Sequence, residues 1–213
     1  TKEMLKIASD FYKDLFKKEE RSGIQLDLAF FSDGEKVNNA ENEALEAPFL
    51  EEEIKRAVFE SYSDGAPSPD GIPFFFYQHF WELVKKDLIA MFEVFHQGEL
   101  AIHRHNFAML TLTPKEADAS SMKIFRPISL LNCSFKIFTK VLTNRLVGIL
   151  QRLVASNQSA FLKGRYILES VVTAHEILHS IYSTKRQGLV LKLDYEKAFD
   201  KVDLEFLEEL RRK

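Results

Sequence analysis

The fold is decided at residues 189–202, which read LVLKLDYEKAFDKV. Side chains alternate from Leu189 to Asp194, and this period of two predicts a β-strand whose leucines face the core. Asp194 stands at the end of the strand and on its other face. A carboxylate in that position is a candidate ligand for a hard divalent cation. The turn that follows, with Phe199 and Asp200, is also typical of a capped strand-to-helix junction with solvated acids.

Helices account for most of the remaining pattern. Apolar residues recur at three- and four-residue steps over residues 4–16, 51–60, 74–98, 133–153 and 167–186, and each run predicts a helix. Asp203 predicts the N-cap of a last helix. Residues 107–112 predict a second strand, residues 21–47 a connector, and the prolines of residues 66–73 exclude a helix there. The sequence predicts an α+β, helix-rich fold with few strands.

Composition narrows the class of protein. The chain has 213 residues, of which 46% are hydrophobic and 29% charged, a balance typical of globular proteins. The single cysteine excludes an internal disulfide and a zinc site built from cysteines alone. No apolar run approaches the ~20 residues that cross a bilayer, so we expect no membrane contact. No targeting signal is readable.

The charge is unevenly distributed. The formal net charge is −3, yet residues 103–192 hold 13 Lys and Arg against four Asp and Glu, which gives that stretch +9. Such asymmetry favours an anionic partner such as nucleic acid, although a solvated lysine-rich helical surface has the same signature. Charge alone leaves both interpretations open.

One motif suggests different chemistry. Residues 175–179 read HEILH and match the H-E-x-x-H pattern of zinc metalloproteases. On a helix, His175 and His179 would share one face, with Glu176 beside them as a general base. A catalytic zinc needs a third protein ligand, and the expected downstream donors, such as Glu196, lie in the segment that holds Asp194. The alternative is that both histidines lie on the half-exposed edge of an amphipathic helix.

Five blocks in order resemble the reverse transcriptases of non-LTR, LINE-type retrotransposons, particularly the plant kind. The blocks are APSPDGIP (66–73) with FW (80–81), LTPK (112–115), FRPISLLN (125–132) with KI (136–137) and NRL (144–146), QSAFLKGR (158–165), and KLDYEKAFDKV (192–202). The resemblance covers about two-thirds of the chain. It implies the helix-rich fingers and the start of the palm of a right-hand polymerase, in incomplete form. Residues 1–60 would be a helical linker, and residues 61–213 a partial reverse transcriptase domain.

The resemblance also implies catalytic and nucleotide-binding residues. Asp194 would be the first catalytic aspartate and a metal ligand, with the main-chain carbonyl of Tyr195 as a second donor. Two Mg²⁺ ions are expected in the complete domain, with Mn²⁺ as a substitute. Arg126 and, more weakly, Lys115 would bind the triphosphate of the incoming dNTP. Phe199 would lie against its sugar and clash with a 2′-OH, although ordinary core packing would also account for an aromatic there.

The expected partners are those of template-directed synthesis. An RNA template, a DNA primer and dNTPs are implied for the complete enzyme, with Arg165, Asp70 and Gly71 contacting template or primer. The family's second catalytic block and its thumb are expected beyond Lys213, so the 213 residues are expected to be inactive alone. The family implies an intracellular location, in the nucleus, the cytoplasm or both.

Two departures and two rival functions accompany this interpretation. Ser68 replaces a usual glycine and Thr113 a usual isoleucine, changes expected to loosen local turns or packing. The first rival is a non-catalytic nucleic-acid-binding remnant of a degenerate element. The second, more remote, is a zinc hydrolase using His175, Glu176 and His179.

Overall fold

A computed structural model describes residues 2–17, 36–65, 68–195 and 198–211. The described residues form nine α-helices, one short 3₁₀ helix (Met122–Ile124) and two strands. In chain order they are α1 (Lys2–Leu15), α2 (Asn39–Glu46), α3 (Glu51–Phe59), α4 (Phe74–His79), α5 (Trp81–His96), α6 (Ile102–His105), β1 (Ala108–Pro114), β2 (Phe125–Leu131), α7 (Cys133–Leu153), α8 (Ile167–Ser183) and α9 (Leu204–Arg211). The helix-rich fold with few strands is therefore confirmed.

The chain divides into two compact units, residues 37–151 and a unit formed by residues 1–36 with 152–213. Neither border coincides with the boundary expected between residues 60 and 61. The assignment of residues 1–60 as a linker stays a prediction.

The hydrophobic core of the 37–151 unit lies among four helices. Helices α3, α4, α5 and α7 supply its buried side chains, which are Ile54, Ala57, Val58, Tyr77, Trp81, Leu88, Phe92, Cys133, Ile137, Phe138 and Val141. Rings dominate one part of it, where Phe92 and Phe95 each pack against Phe138 with centroids 5.4 and 4.4 Å apart. Burial of such large apolar surfaces is the main favourable term in folding, so this core anchors α7 against α3 and α5.

Strands β1 and β2 form an antiparallel pair in the same unit, with Ala108 opposite Leu131 and Thr113 opposite Arg126. The sequence predicts β1 but assigns no element to residues 125–131, where Pro127 lowers strand propensity. Proline is tolerated here because β2 is an edge strand of a two-stranded sheet.

Several helix boundaries differ from the expected ones. The helix expected over residues 74–98 is two helices, because the backbone leaves helical geometry at Phe80 (φ −103°, ψ 30°). The expected connector contains α2, which begins at a capping box formed by Asn38 and Glu41. Asp203 caps α9 as predicted, since its Oδ1 accepts from the amides of Glu205 and Phe206 at 2.9 and 3.0 Å.

The strand expected over residues 189–194 is absent, which is the largest correction. Residues 188–195 carry no regular structure, and every side chain among them is exposed; Leu189 reaches 91%. A strand needs a neighbour to pair its amides and carbonyls, and the two-stranded sheet of the described residues offers none to this segment. The prediction that its leucines face the core is wrong for this structure.

Candidate functional site

The strand register places two basic residues on one face of the β1–β2 pair. Arg126 lies opposite Thr113, and the amide of Lys115 donates to the carbonyl of Ile124 at 2.8 Å, which extends the ladder past β1. Lys115 is therefore a diagonal neighbour of Arg126 on the same face, a relation that places Cβ atoms about 7–8 Å apart. Both side chains are exposed, and neither has a partner among the described residues. The pair can bind an anion such as a polyphosphate.

The proline-rich block forms a tight turn over its described part, residues 68–73; Ala66 and Pro67 lie outside the described residues. The amide of Gly71 donates to the carbonyl of Ser68 at 2.8 Å, and its φ of 77° is one that glycine adopts without strain. Asp70 accepts from the amide of Ile72 at 3.0 Å. Asp70 and Gly71 are exposed, and their predicted contact with template or primer stays a prediction.

The serine that replaces the usual glycine of this block has a packing role. Ser68 is buried, and its Oγ lies 3.1 Å from the Sγ of Cys133 at the start of α7. The hydroxyl fixes the turn to α7, so the expected loosening at this position does not occur.

The Arg165 side chain forms hydrogen bonds within its own loop. Its guanidinium donates to the carbonyls of Val154, Ala155 and Gln158, all within 2.8 Å. These carbonyls follow the end of α7, where main-chain acceptors lack helical partners. Arg165 thereby stabilises the α7–α8 connection, and its predicted contact with template or primer stays a prediction.

The segment around Asp194 presents its side chains to solvent. Asp194 and Tyr195 are exposed, and the Asp194 carboxylate has no hydrogen-bond or ion-pair partner among the described residues. Phe199 is 92% exposed, so the alternative of core packing does not hold for it. Asp200 lies near Tyr12 of α1, where its charge adds to burial in raising the pKa of the Tyr12 hydroxyl. Glu196 lies outside the described residues.

The 37–151 unit contains a cleft of about 520 Å³ that was not predicted from the sequence. Lys136, Thr139, Lys140 and Thr143 line it from α7, and Tyr62 contributes from the segment that follows α3. Lys140 pairs with Glu60 at 3.6 Å, whereas the Lys136 ammonium has no partner among the described residues. The sequence contained a signal for this polar face of α7, because residues at i, i+3, i+4 and i+7 lie on one face of a helix.

Arg145, within the NRL block, clamps the segment between α2 and α3. All five of its N–H groups donate: two to Glu53 at 2.8 and 2.9 Å, and three to the carbonyls of Leu45, Ala47 and Pro48. The guanidinium also lies 4.0 Å from the ring centroid of Phe49. Its hydrogen bond to Glu53 lowers the pKa of that carboxyl. Residues 45–53 are thus held to α7.

The zinc alternative finds no third ligand in the described part of the chain. His175 and His179 lie one turn apart on α8, both exposed. Over the described ranges, no group of three or more His, Cys, Asp or Glu side chains could hold a metal ion.

Comparison with known proteins supplies the family. A family model described as reverse transcriptase (RNA-dependent DNA polymerase) matches residues 113–212, a range that includes Lys115, Arg126, Arg165, Asp194 and Phe199. Residues 113–212 belong to the reverse transcriptase family. The Transposon TX1 uncharacterized 149 kDa protein of Xenopus laevis is 34% identical to it over 172 residues. That alignment spans 80% of this chain and 13% of the relative.

These matches confirm the predicted reverse transcriptase of a non-LTR, LINE-type retrotransposon. The plant-like character stays a prediction. Reverse transcriptases use divalent metal ions and act on a template, a primer and dNTPs. Within the described ranges, no helix is both long enough and apolar enough to span a membrane.

Proposed function

We propose that this chain forms the fingers and the first palm block of an RNA-directed DNA polymerase of a LINE-type retrotransposon. The observation that carries the proposal is the placement of Arg126 and Lys115 as exposed diagonal neighbours on one face of the β1–β2 pair, inside the matched range. An incoming dNTP presents a flexible chain of phosphate oxygens. A planar guanidinium binds two of them at once, and a nearby ammonium adds a second charge.

Asp194 is the proposed metal ligand. A carboxylate and the main-chain carbonyl of Tyr195 are hard oxygen donors of the kind that Mg²⁺ prefers, and the exposure of both residues leaves these oxygens accessible. In a complete domain, two bound ions would stabilise the attacking and leaving oxygens of nucleotidyl transfer. Mn²⁺ is the proposed substitute. Phe199, whose ring is exposed, is proposed to exclude a 2′-OH from the sugar position.

One carboxylate supplies too few oxygen ligands to bind two metal ions. With no acidic cluster in the described ranges, we expect the 213 residues alone to catalyse no primer extension. Extension above background by the purified chain would refute this expectation.

A second candidate is nucleic-acid binding without catalysis. The cleft on α7 favours it, because Lys136 offers an unpaired ammonium beside the hydroxyls of Thr139 and Thr143. Phosphate binding by lysine releases counterions, so affinity for RNA or DNA should fall steeply with salt. This function and polymerisation are compatible in one protein.

Primer extension by the protein expressed from the complete open reading frame tests the main proposal. We expect Mg²⁺-dependent incorporation of dNTPs on an RNA template, abolished by Asp194→Asn. Asp118→Asn, which neutralises an exposed carboxylate in the loop after β1, is the matched control and should retain activity. Equal activity of the two variants would refute the role of Asp194. RNA binding by an inactive complete protein would favour the second candidate.

A further inference from the structure

Phe161 has an unfavourable backbone conformation and an exposed ring. Its φ is 65°, in the left-handed region that costs an L-residue about 1–2 kcal/mol. Its side chain is fully exposed, at 105%. The ring therefore contributes no packing within this chain that would offset the strain. Strained residues that nothing in the fold explains concentrate at functional sites.

The other non-glycine residue with a positive φ has a local explanation. Lys185, at φ 50°, follows α8, and the amides of Lys185 and Arg186 donate to the carbonyls of Tyr182 and Ile181. These two bonds form a Schellman motif, the common way to end a helix. Phe161 ends no helix; it lies in a turn between α7 and α8, where glycine or asparagine is the usual residue when φ is positive.

Hydrogen bonds hold the loop around Phe161. The Arg165 guanidinium donates to three main-chain carbonyls after α7, and the Ser159 hydroxyl bonds to the Ser170 hydroxyl on α8. The amide of Arg165 donates to the carbonyl of Leu162 across a turn in which Gly164 has φ 82°. An aromatic ring presented on a fixed loop loses little conformational entropy when a ligand binds.

The sequence around the ring is basic. Residues 152–168, which lie in the same unit as the ring, contain three Lys and Arg and no Asp or Glu. Lys163 and Arg165 flank the ring in sequence, and Tyr166 adds a second exposed aromatic. Aromatic rings interleaved with basic side chains are typical of single-stranded nucleic-acid binding, where bases stack on the rings and cations attract the phosphates.

We propose that Phe161 is a stacking platform for an unpaired base of a nucleic-acid strand. The proposal rests on the proposed function only in requiring a nucleic-acid ligand; it does not require catalysis. Every base has a flat face, so we expect little sequence preference.

The test measures binding of fluorescein-labelled 15-nucleotide RNA and DNA strands to the full 213-residue chain. We expect Phe161→Ala to weaken binding by about 5- to 150-fold, the range of one lost stacking contact. Phe161→Trp should bind within about twofold of the parent. Tyr182→Ala removes another exposed ring of the same unit, 85% exposed on α8, and should leave affinity unchanged. The RNA and DNA arms identify which strand is preferred.

Salt and duplex controls separate stacking from charge. The slope of log affinity against log salt should be the same for Phe161→Ala and the parent, because no phosphate contact is lost. A blunt 15-base-pair duplex, with its bases paired, should bind both proteins equally. Equal affinity of Phe161→Ala and the parent for single strands would overturn the proposal, as would an equal loss on the duplex.

Stability provides the second readout. Phe161→Gly removes the strain and the ring together, so its thermal midpoint should equal or exceed that of the parent while single-strand binding is lost. If both Phe161→Gly and Phe161→Ala lowered the midpoint by more than about 4 °C, the ring would be a packing residue and the proposal would be overturned. Failure of primer extension by the complete protein would leave this result unaffected.

Discussion

Replacing Arg145 should unfold the 37–151 unit far more readily than replacing any exposed basic residue. All five donors of its guanidinium are used, and its side chain is 9% exposed. Glu53, its ionic partner, is 22% exposed. Removing the guanidinium leaves a partly buried carboxylate without its ion-pair partner and three main-chain carbonyls without a donor.

The expected cost of Arg145→Ala is about 3–5 kcal/mol, the range measured when one partner of a buried ion pair is removed. Arg145→Lys keeps the charge but has three donors for five acceptor contacts, so at least two charged hydrogen bonds are lost. At about 1.5 kcal/mol each, this variant should lose about 3 kcal/mol. For a domain of this size, 1 kcal/mol corresponds to roughly 2–4 °C in Tm.

Tryptophan fluorescence during urea unfolding measures this loss in the relevant unit. Trp81 is the single tryptophan of the chain, and it is buried in the core of residues 37–151. Arg104→Ala, at an exposed position on α6, is the matched control and should change stability by less than about 0.5 kcal/mol. A double-mutant cycle with Glu53→Gln should show a coupling energy of about 0.5–3 kcal/mol. Strictly additive effects, or a loss in Arg145→Ala no larger than in Arg104→Ala, would refute the clamp.

Three further outcomes follow from the same structure. Because the pKa of Glu53 lies below its ordinary value of 4.5 in the folded state, its contribution to stability is present above pH 4.5 and is lost as the pH falls through the lowered pKa. Urea unfolding at pH 3–7 should show this dependence of the unfolding free energy on pH. The dependence should be weaker in Glu53→Gln. Arg126→Gln should raise the KM for dNTP about 10- to 100-fold in primer extension by the complete protein, whereas Arg104→Gln should not, and equal KM values would exclude the triphosphate contact. Lys136→Gln should reduce the salt slope of RNA binding by about one, and an unchanged slope would show that the cleft binds no phosphate.

Local sequence patterns predicted two kinds of feature. One kind depends on bonds between residues close together in the chain, and the other is a helix with a strong apolar periodicity. The apolar spacing of residues 133–153 predicted α7, and Asp203 predicted the cap of α9 because a cap bonds to amides two and three residues away. The role of Arg145 was hidden, because its acceptors lie 92–100 residues earlier in the chain and only tertiary packing brings them to α7.

Residues 189–194 show why a correct pattern need not produce a correct element. Their alternation is genuine, but alternation specifies which side chains a strand would bury and supplies none of the hydrogen bonds that form the strand. Those bonds must come from a neighbour, and the described sheet consists of β1 and β2, which pair with each other. The exposed leucines and the exposed carboxylate of Asp194 therefore have one cause, the lack of a pairing strand among the described residues. A metal ligand on an unpaired segment is held by no ladder. Ordering of residues 189–194 into a strand should thus accompany any gain in the affinity of Asp194 for a divalent ion.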